Sequence, residues 1–549
     1  MPPLRIIPLG GLGEIGRNMM LIEYEEDIIV VDVGLMFPEE EMLGVDLVIP
    51  DFTYLRENAG RLRAVFLTHG HEDHVGALPY FLREFSAPIY SSRLTDGLIR
   101  VKLNEHRLLD KSETVVVEPG EVIKAGVFEV EFFPVAHSIP DACGMIIRTP
   151  LGPIVHTGDF KLDHTPVMNQ STDLIRLAQV GAEGCLLLLA DSTYAEVEGY
   201  TPSEQLVGDA LRNIVVNAPG RVIIATFASL ISRVQQVVDA AVFAGRKVFV
   251  TGRSMIDNVA MARQLGYLNA PDGVIVGVEE MRNTPLNKLV VVTTGSQGEP
   301  TSALTRMANG NHRHIQIQEG DTVALSASPI PGNEQAVYRN VDNLFRLGAD
   351  VLYNRVANIH VRGHASREEL KILQGVLQPE YFVPIHGEYR HLVVHARLAE
   401  AVGVPEGNAF VLTDGDVLEI DEKEARLGDK VPASYVYVDG LGIGDVDQHL
   451  LRDRAHLSTD GVVVVIASVD KQTGKLERSP DILSRGFIDV EEHEELLERS
   501  KRVVEGALGG GEHRAELGDI EVRVRDALSK FLYDETRRRP MVLTVTVEV

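Results

Sequence analysis

Cysteine is nearly absent from this chain. Cys143 and Cys185 are the only two in 549 residues, too few for a disulfide framework or a cysteine-built zinc cluster. A reducing, intracellular setting is the one expected. Tryptophan does not occur, and aromatic side chains make up 6% of the sequence. No apolar run approaches the roughly 18 residues that cross a bilayer, and the N-terminal stretch lacks the basic-then-apolar pattern of a secretory signal. No membrane partner is expected, and the cytoplasm is the expected compartment. Basic charge is also short: 53 Lys and Arg stand against 80 Asp and Glu, a formal net charge of −27. Such a balance argues against a protein that holds nucleic acid by a general basic surface.

The distribution of charge says more than the sum. Residues 206–354 carry 13 Lys and Arg against 12 Asp and Glu, and 451–549 net only −4, so the acid is concentrated elsewhere. An acidic surplus of that kind is partly offset where divalent metals bind. Apolar content of 44% and charged content of 24% are ordinary for a globular protein, and the length fits two to four domains.

The organisation follows from hydrophobic pattern. Short strands dominate to about residue 205: Leu4–Pro8, Met19–Tyr24, Ile28–Asp32, Ala64–Thr68, Val127–Val135, Gly144–Arg148 paired with Pro153–Thr157, and Cys185–Ala190, with a helix over His74–Phe85. From 206 to 354 strands and helices alternate, the pattern of a parallel α/β unit whose strand ends face a ligand. A second part of the first domain follows over 355–440, with a helix over His391–Val402 and a strand-turn-strand over Ala409–Ile420. The Gly-rich stretch from Tyr435 introduces a linker, placed at 441–455. A small α/β domain covers 456–549, with a turn at Gln472-Thr473-Gly474, helices over Glu491–Leu508 and Asp519–Arg538 separated by Gly509-Gly510-Gly511, and a final strand.

The densest chemistry is Thr68-His69-Gly70-His71-Glu72-Asp73-His74, directly after an apolar strand. Imidazole and carboxylate are the donors that Zn²⁺ and Mn²⁺ take. In a loop leaving a strand, His69 and His71 point to one side and Asp73 and His74 to another, which suits two ions better than one. Completing two sites takes about three more ligands at strand ends. His137, Asp159 and His386 have that placement, and Asp159, with two carboxylate oxygens, suits a bridge. His156, His164, His314 and His391 read as supporting or surface residues.

Gly11-Leu12-Gly13-Glu14-Ile15-Gly16 matches the dinucleotide fingerprint, but that motif needs a helix directly after its glycines. Asn18–Glu23 reads as a strand, so the glycines are expected to form a tight loop near the metal site.

The series His69-x-His71-x-Asp73-His74, His137, Asp159, His386 resembles the ligand set of the metallo-β-lactamase superfamily. The insertion before His386, with Asp191 and with His364 in Arg362-Gly363-His364-Ala365-Ser366, resembles its β-CASP subgroup. Gly10–Gly16, Gly295-Ser296-Gln297-Gly298-Glu299-Pro300 and Val438-Asp439-Gly440-Leu441-Gly442-Ile443-Gly444 resemble the ribonuclease J family. The resemblance implies an α/β fold: a metallo-β-lactamase αββα sandwich, an inserted parallel β-CASP domain and a small α/β C-terminal domain. It implies two divalent ions, Zn²⁺ or Mn²⁺, one on His69, His71 and His137, the other on Asp73, His74 and His386, with Asp159 shared. Two ions roughly 3.5–4 Å apart activate water and neutralise phosphate charge. Asp73 accepts a hydrogen bond from the attacking hydroxide, His364 protonates or stabilises the leaving 3′ oxygen, and Asp191 orients His364.

The implied substrate is single-stranded RNA, cut from its 5′ end and internally in RNA maturation and decay. Ala228, Ser229 and Leu230, at the start of a helix, with His360, Val361, Arg362, Gly363, His364 and Ser366, would hold a 5′-monophosphate. Arg246, Lys247, Arg253, Arg263 and Arg282 would line one wall of an RNA channel. The resemblance further implies a homodimer, or a tetramer, through the C-terminal and core domains, membership of an RNA-degradation complex, and a structural Ca²⁺ or Mg²⁺ at Gly44, Asp46 and Asp439. Hydrolysis of DNA, thioesters or lactams are the alternatives, because the ligand series sets the chemistry and not the substrate.

Overall fold

The computed structural model describes residues 2–548 apart from 169, 331–332, 471–475, 490–491 and 509–516. It divides into two compact units, Met1–Phe37 with Leu47–Val436, and Pro38–Asp46 with Tyr437–Val549.

Two sheets face each other in the first unit. One runs in the order Ala425–Leu427, Leu418–Ile420, Leu4–Gly10, Met19–Tyr24, Asp27–Val31, Leu62–Phe66, Ile89–Ser91, Thr114–Val116. The other runs Tyr381–Ile385, Leu187–Asp191, Gly152–His156, Cys143–Thr149, Phe128–Pro134, Val122–Ala125. Side chains alternate as the pleat requires. Leu187 and Leu189 enter the core between the sheets with Ile6, Ile22 and Ile29. Leu188 and Ala190 point the other way, onto Leu177 and Val180 of one helix and Leu370, Leu373 and Leu377 of another. The expected αββα sandwich is the result.

The insertion is a wholly parallel sheet in the order Ile275–Val276, Lys247–Thr251, Leu289–Thr293, Val222–Ala225, Thr322–Leu325, Asp350–Leu352. Both of its faces are covered, and its strands read as near-continuous β-branched runs for that reason. Val222, Ile224, Val290 and Val292 face one core, Ile223, Ala225, Val291 and Val323 the other. No dinucleotide-type helix follows Gly11–Gly16. The chain goes instead through the short strand Leu12–Gly13 into Met19–Tyr24.

Three local readings differ. The helix expected over His74–Phe85 is two short ones, Glu72–Val75 and Leu78–Phe81. The His74 carbonyl accepts from Val33 N and Ala77 N donates to the Val33 carbonyl, so the segment just past the strand Asp27–Val31 takes the bonds that would continue the helix. Over Ala409–Ile420 only Leu418–Ile420 is a strand; Ala409 makes a single bridge to Phe382. The stretch read as a linker carries the strands Val436–Asp439 and Gly442–Ile443 and a helix, Gln448–Asp460, capped by Asp447, whose carboxylate accepts from Leu450 N. Gly440 and Gly444 have φ of 58° and 74° and shape turns, a conformation that glycine adopts without a steric cost.

In the second unit the sheet order is Asp481–Arg485, Val462–Val469, Met541–Glu548. Val463, Val465, Val504, Val524 and Leu528 join it to the helices Glu494–Leu508 and Leu517–Thr536. The turns expected at Gln472-Thr473-Gly474 and Gly509-Gly510-Gly511 lie outside the described residues. Among the described residues no helix is long and apolar enough to cross a membrane.

The glycine loop is held by a buried cation. Arg17, 1% exposed, gives Nε to Glu14 at 2.7 Å and a terminal nitrogen to Asp414 at 2.8 Å, and stacks on Tyr435 at 4.4 Å. Asp414 also accepts from Leu12 N. Burial, with repulsion from Glu14, lifts the Asp414 carboxyl to about 7 against the pull of Arg17. The folded chain therefore keeps a proton that the unfolded chain sheds near pH 4. This group's contribution to stability falls as pH rises from about 4 to about 7, then levels. In Asp414→Asn, the drop in melting temperature between pH 5 and pH 8 should be smaller than in the parent; an equal drop would mean that Asp414 does not titrate in this window.

Candidate metal centre

Three parallel strands of the second sheet, Gly152–His156, Leu187–Asp191 and Tyr381–Ile385, end at one edge. That edge carries Asp159, Asp191 and His386. The first sheet sends in residues 69–74 after Leu62–Phe66, and His137 follows Phe128–Pro134. Strand ends place side chains on a rigid frame while leaving the loop free to turn them inward.

Two groups form around one oxygen. His69 Nε2, His71 Nδ1, His137 Nε2 and Asp159 make the first; Asp73, His74 Nε2, His386 Nε2 and Asp159 make the second. In the first, His71 Nδ1 lies 2.9 Å from His69 Nε2 and 3.2 Å from His137 Nε2. Asp159 Oδ2 is 3.7 and 3.8 Å from His69 and His137, and 3.3 and 3.6 Å from His74 and His386.

The outward nitrogens decide what the inward ones can be. His74 Nδ1 faces the Asp32 carboxylate at 2.8 Å and His137 Nδ1 faces the Gly363 carbonyl at 2.8 Å. Both partners only accept, so both rings carry a proton on Nδ1, which leaves Nε2 as the nitrogen each would offer to a metal. The Thr68 hydroxyl donates to Asp32 and so accepts from His69 Nδ1. The Thr193 hydroxyl donates to Asp191 and so accepts from His386 Nδ1. His69 Nε2 and His137 Nε2 both converge on His71 Nδ1, at 2.9 and 3.2 Å, and with the carboxylates this donor set fits Zn²⁺ or Mn²⁺.

Charge tells the same story. Burial drives the imidazoles of His69 and His137 well below their usual range, and His71 to about 4, so the three rings of the first group are neutral. In the second, burial alone would lower His74 and His386. Asp159 overrides it, raising His74 well above its usual range with help from Asp73 and Asp32, and His386 to about 9. Burial would raise the Asp159 carboxyl, but His386, His74 and His364 hold it well below the usual carboxylate range. Its Oδ1 is buried without a partner.

Beside these groups His364 Nδ1 lies 2.7 Å from Asp191 Oδ2, and 3.8 Å from Asp159 Oδ2. The other Asp191 oxygen accepts from Thr193 N and Oγ1. Asp191 thus joins His364 to His386 through Thr193.

Sequence reading missed the outer roles of Asp32, Thr68, Thr193 and Asn18, and named Gly363 only for a terminal phosphate, whereas its carbonyl faces His137. Asn18 holds the Asp73 carbonyl through N and Nδ2, both at 3.0 Å. Asp32, at the end of a strand with φ of 61°, left a signal only as an acid where an apolar run stops. Two glycines are required by contact. A Cβ on Gly34 would lie 1.6 Å from the Asp73 carbonyl oxygen, and one on Gly363 2.7 Å from His137 Cε1.

Other candidates fall elsewhere. Ser366 is fully buried, caps the helix Arg367–Leu377 and bonds Thr201 at 2.8 Å, so its hydroxyl is not free for a phosphate. Val361 and Gly363 are buried, while Arg362 is exposed over the Tyr194 ring and His360 is half-buried with Nδ1 unpartnered. Ala228 and Ser229 are half-buried ahead of Leu230, which caps the helix Ile231–Phe243 without a side-chain bond. Arg246 is buried on the Ala218 and Gly220 carbonyls, and Lys247 begins a strand, at the edge opposite the polar strand ends; neither belongs to a channel wall. Arg282 pairs with Glu279, and Arg253 and Arg263 are exposed. In the second unit Gly44, Asp46 and Asp439 lie together with the Arg454 guanidinium, which pairs with Asp439 at 2.5 Å and would be 2.8 Å from a Cβ on Gly44. That guanidinium already supplies the positive charge there.

The geometry has a direct check. Asp159→Asn should lower bound metal at both groups, and Asp32→Ala should weaken metal affinity roughly 10- to 100-fold through the ring it orients. Metal content after dialysis against buffered Zn²⁺ or Mn²⁺ reads both, and unchanged content in Asp159→Asn would remove it as the shared ligand.

Comparison with known proteins places this geometry. The metallo-beta-lactamase superfamily description matches residues 12–192, the ribonuclease J beta-CASP domain 219–344, the Zn-dependent metallo-hydrolase RNA specificity domain 349–411 and the ribonuclease J C-terminal domain 449–549. Ribonuclease J2 of Bacillus subtilis is 43% identical over 548 residues, covering 100% of this chain and 99% of that protein. Ribonuclease J 1 of Streptococcus pyogenes is 43% identical over 544 residues, with coverage of 99% and 97%. A crystal structure titled a protein of unknown function from Enterococcus faecalis V583 shares the fold at a TM-score of 0.56 and 17% identity, over 76% of this chain and 100% of that one. With its sandwich, insertion, C-terminal domain and converging His and Asp side chains, the chain belongs to the ribonuclease J family.

Proposed function

We propose that the chain is a metal-dependent ribonuclease that removes nucleotides from a 5′-monophosphorylated end and also cuts internally. The observation that carries this reading is the His364–Asp191 pair, 2.7 Å apart, set against both metal-binding groups. In this reading His69, His71, His137 and Asp159 hold one divalent ion and Asp73, His74, His386 and Asp159 the other. Ions held there supply Lewis acidity, which draws the pKa of a water toward neutrality and offsets phosphate charge.

The remaining work falls to protein groups. His364 donates Nδ1–H to Asp191, which leaves Nε2 for substrate. Burial opposes its charge, but Asp191 and then Asp159 raise its pKa above the usual imidazole range, which favours the protonated ring that a proton donor needs. Water attacks phosphorus, the P–O3′ bond breaks, and His364 gives its proton to the departing 3′ oxygen; the proton shed by the water passes to solvent, from which His364 regains its own. The products are a nucleotide with a 3′ hydroxyl and RNA with a new 5′-monophosphate. Asp73 accepts a hydrogen bond from the attacking water. The start of the helix Ile231–Phe243, at Ala228–Leu230, with His360 and Arg362, receives the terminal phosphate. A fresh monophosphate after each cut renews the same recognition.

The C-terminal sheet supports self-association. Leu483, Val464 and Leu543 stand in one row across it, and Leu543, Val545 and Val547 are each about half exposed along the last strand. An apolar sheet face of this kind fits a second copy of the chain. Leu543→Lys with Val545→Lys should shift the chain toward monomer in sedimentation, and a parent that is itself monomeric would remove the proposal.

The activity test uses 5′-labelled RNA bearing a monophosphate or a triphosphate, with Mn²⁺ or Zn²⁺, and single-stranded DNA, a thioester and a lactam as controls. Mononucleotide release that prefers the monophosphate is the expected result; RNA left intact with either metal refutes the reading. His364→Ala should lose at least about 100-fold in turnover while retaining its metal. Loss of metal would make His364 a ligand instead.

A further inference from the structure

The segment that carries His364 is gripped by buried charge. Arg233, 0% exposed on the helix Ile231–Phe243, gives one terminal nitrogen to the Ile359 carbonyl at 3.1 Å and to Ser326, and the other to Glu204 Oε2 at 2.5 Å. Ser326 Oγ itself donates to the Ile359 carbonyl at 2.5 Å. Lys161, also 0% exposed and two residues beyond Asp159, reaches the Arg362 carbonyl at 3.4 Å and the Pro202 carbonyl at 3.3 Å, with Asp163 at 3.5 Å and Glu204 at 4.0 Å. Glu369 closes the far end, accepting from Ser366 N, Leu162 N and Thr201 N at 2.6–2.8 Å.

Charge this deep is costly to bury, and a neutral pair of the same shape is often no less stable. Fold stability alone therefore does not account for it. Its geometry does: the grip holds the carbonyls at positions 359 and 362 from two directions, and His364 hangs from the short run between 362 and 366. One direction is the inserted domain. Arg233 lies on the helix whose first residues follow Ala228–Leu230, and packed helices move as rigid bodies.

We propose that Arg233 and Glu204, with Lys161, are positioning residues that fix His364 against the metal centre and link its position to whatever docks at the start of the helix Ile231–Phe243. The link rests on the ribonuclease reading above; the grip itself does not. An RNA end seated at that helix would hold the helix, Arg233 would hold position 359, and His364 would stand where the leaving oxygen departs. An end that fails to seat would leave His364 free to shift, and a displacement of about 1 Å can cost 100-fold in rate.

The test removes the charge and keeps the volume in the full-length chain, as Arg233→Met with Glu204→Gln. Melting temperature and metal content establish that this variant is folded and loaded. Amide exchange in peptides spanning 359–364 should quicken at least severalfold. Turnover on 5′-monophosphate RNA should fall about 10- to 100-fold with KM changed less than about threefold, and the ratio of monophosphate to 5′-hydroxyl substrate should move toward one. Arg233→Lys keeps the charge beside Glu204 but not the three-way reach, so it should show the same fall in turnover even if the double variant does not fold. Parental exchange and turnover in either folded variant would overturn the proposal. A parent that cleaves no RNA would instead overturn the ribonuclease reading, and the exchange measurement would still decide the grip.

Discussion

One carboxylate oxygen sets the terms for the catalytic end of this protein. Asp159 Oδ2 lies within 3.8 Å of nitrogens from His69, His74, His137, His364 and His386. Five imidazoles around one buried oxygen have no stable arrangement in a flexible chain, because each must give up water and face its neighbours' lone pairs. The scaffold has to impose the arrangement, and it does so by ending strands of both sheets at one edge.

The imposition is made through the outward nitrogens. Asp32, Thr68, Thr193 and the Gly363 carbonyl each accept a hydrogen bond from one ring, so four ring orientations are fixed before any metal binds. Thr193 and Gly363 also belong to the environment of His364. Its orienting carboxylate is bonded to Thr193, and Gly363 immediately precedes it. In the proposed function, metal ligation and leaving-group protonation therefore share their supports, and a displacement in one is felt in the other.

The formal charge of −27 is less of an obstacle to an RNA substrate than it first looks. Much of the acid near the site is engaged by histidine or by buried Arg and Lys. The near-neutral insertion brings polar strand ends and exposed Arg253 and Arg263, whereas Arg246 is spent on backbone carbonyls. Buried cations such as Arg17, Lys161 and Arg233 act on loops and domains, and so count for nothing in a surface-charge estimate.

The strands of the first domain, the inserted parallel sheet and the cluster from His69 to His74 were legible from residue order, and the sandwich followed from the family resemblance. Strand alternation and ligand spacing are local properties, written within a few residues of each other. His137, Asp159 and His386 could be picked out because each follows a strand and a turn. What could not be read was any feature that depends on partners hundreds of positions apart. Gly440 and Gly444 looked like a spacer and are turns; Ser366 looked like a phosphate ligand and is a helix cap; Arg246 looked like a channel wall and is buried. The pairing of Asp191 with His364, 173 residues apart, was reached only through the family resemblance, and the grip of Arg233 on position 359 arises only when the sheets close. The sequence by itself determined which elements form and which donors are available, because those follow from local periodicity and side-chain chemistry. The tertiary structure alone decided which nitrogen of each histidine faces inward, since a tautomer is set by the group bonded to the opposite side of the ring.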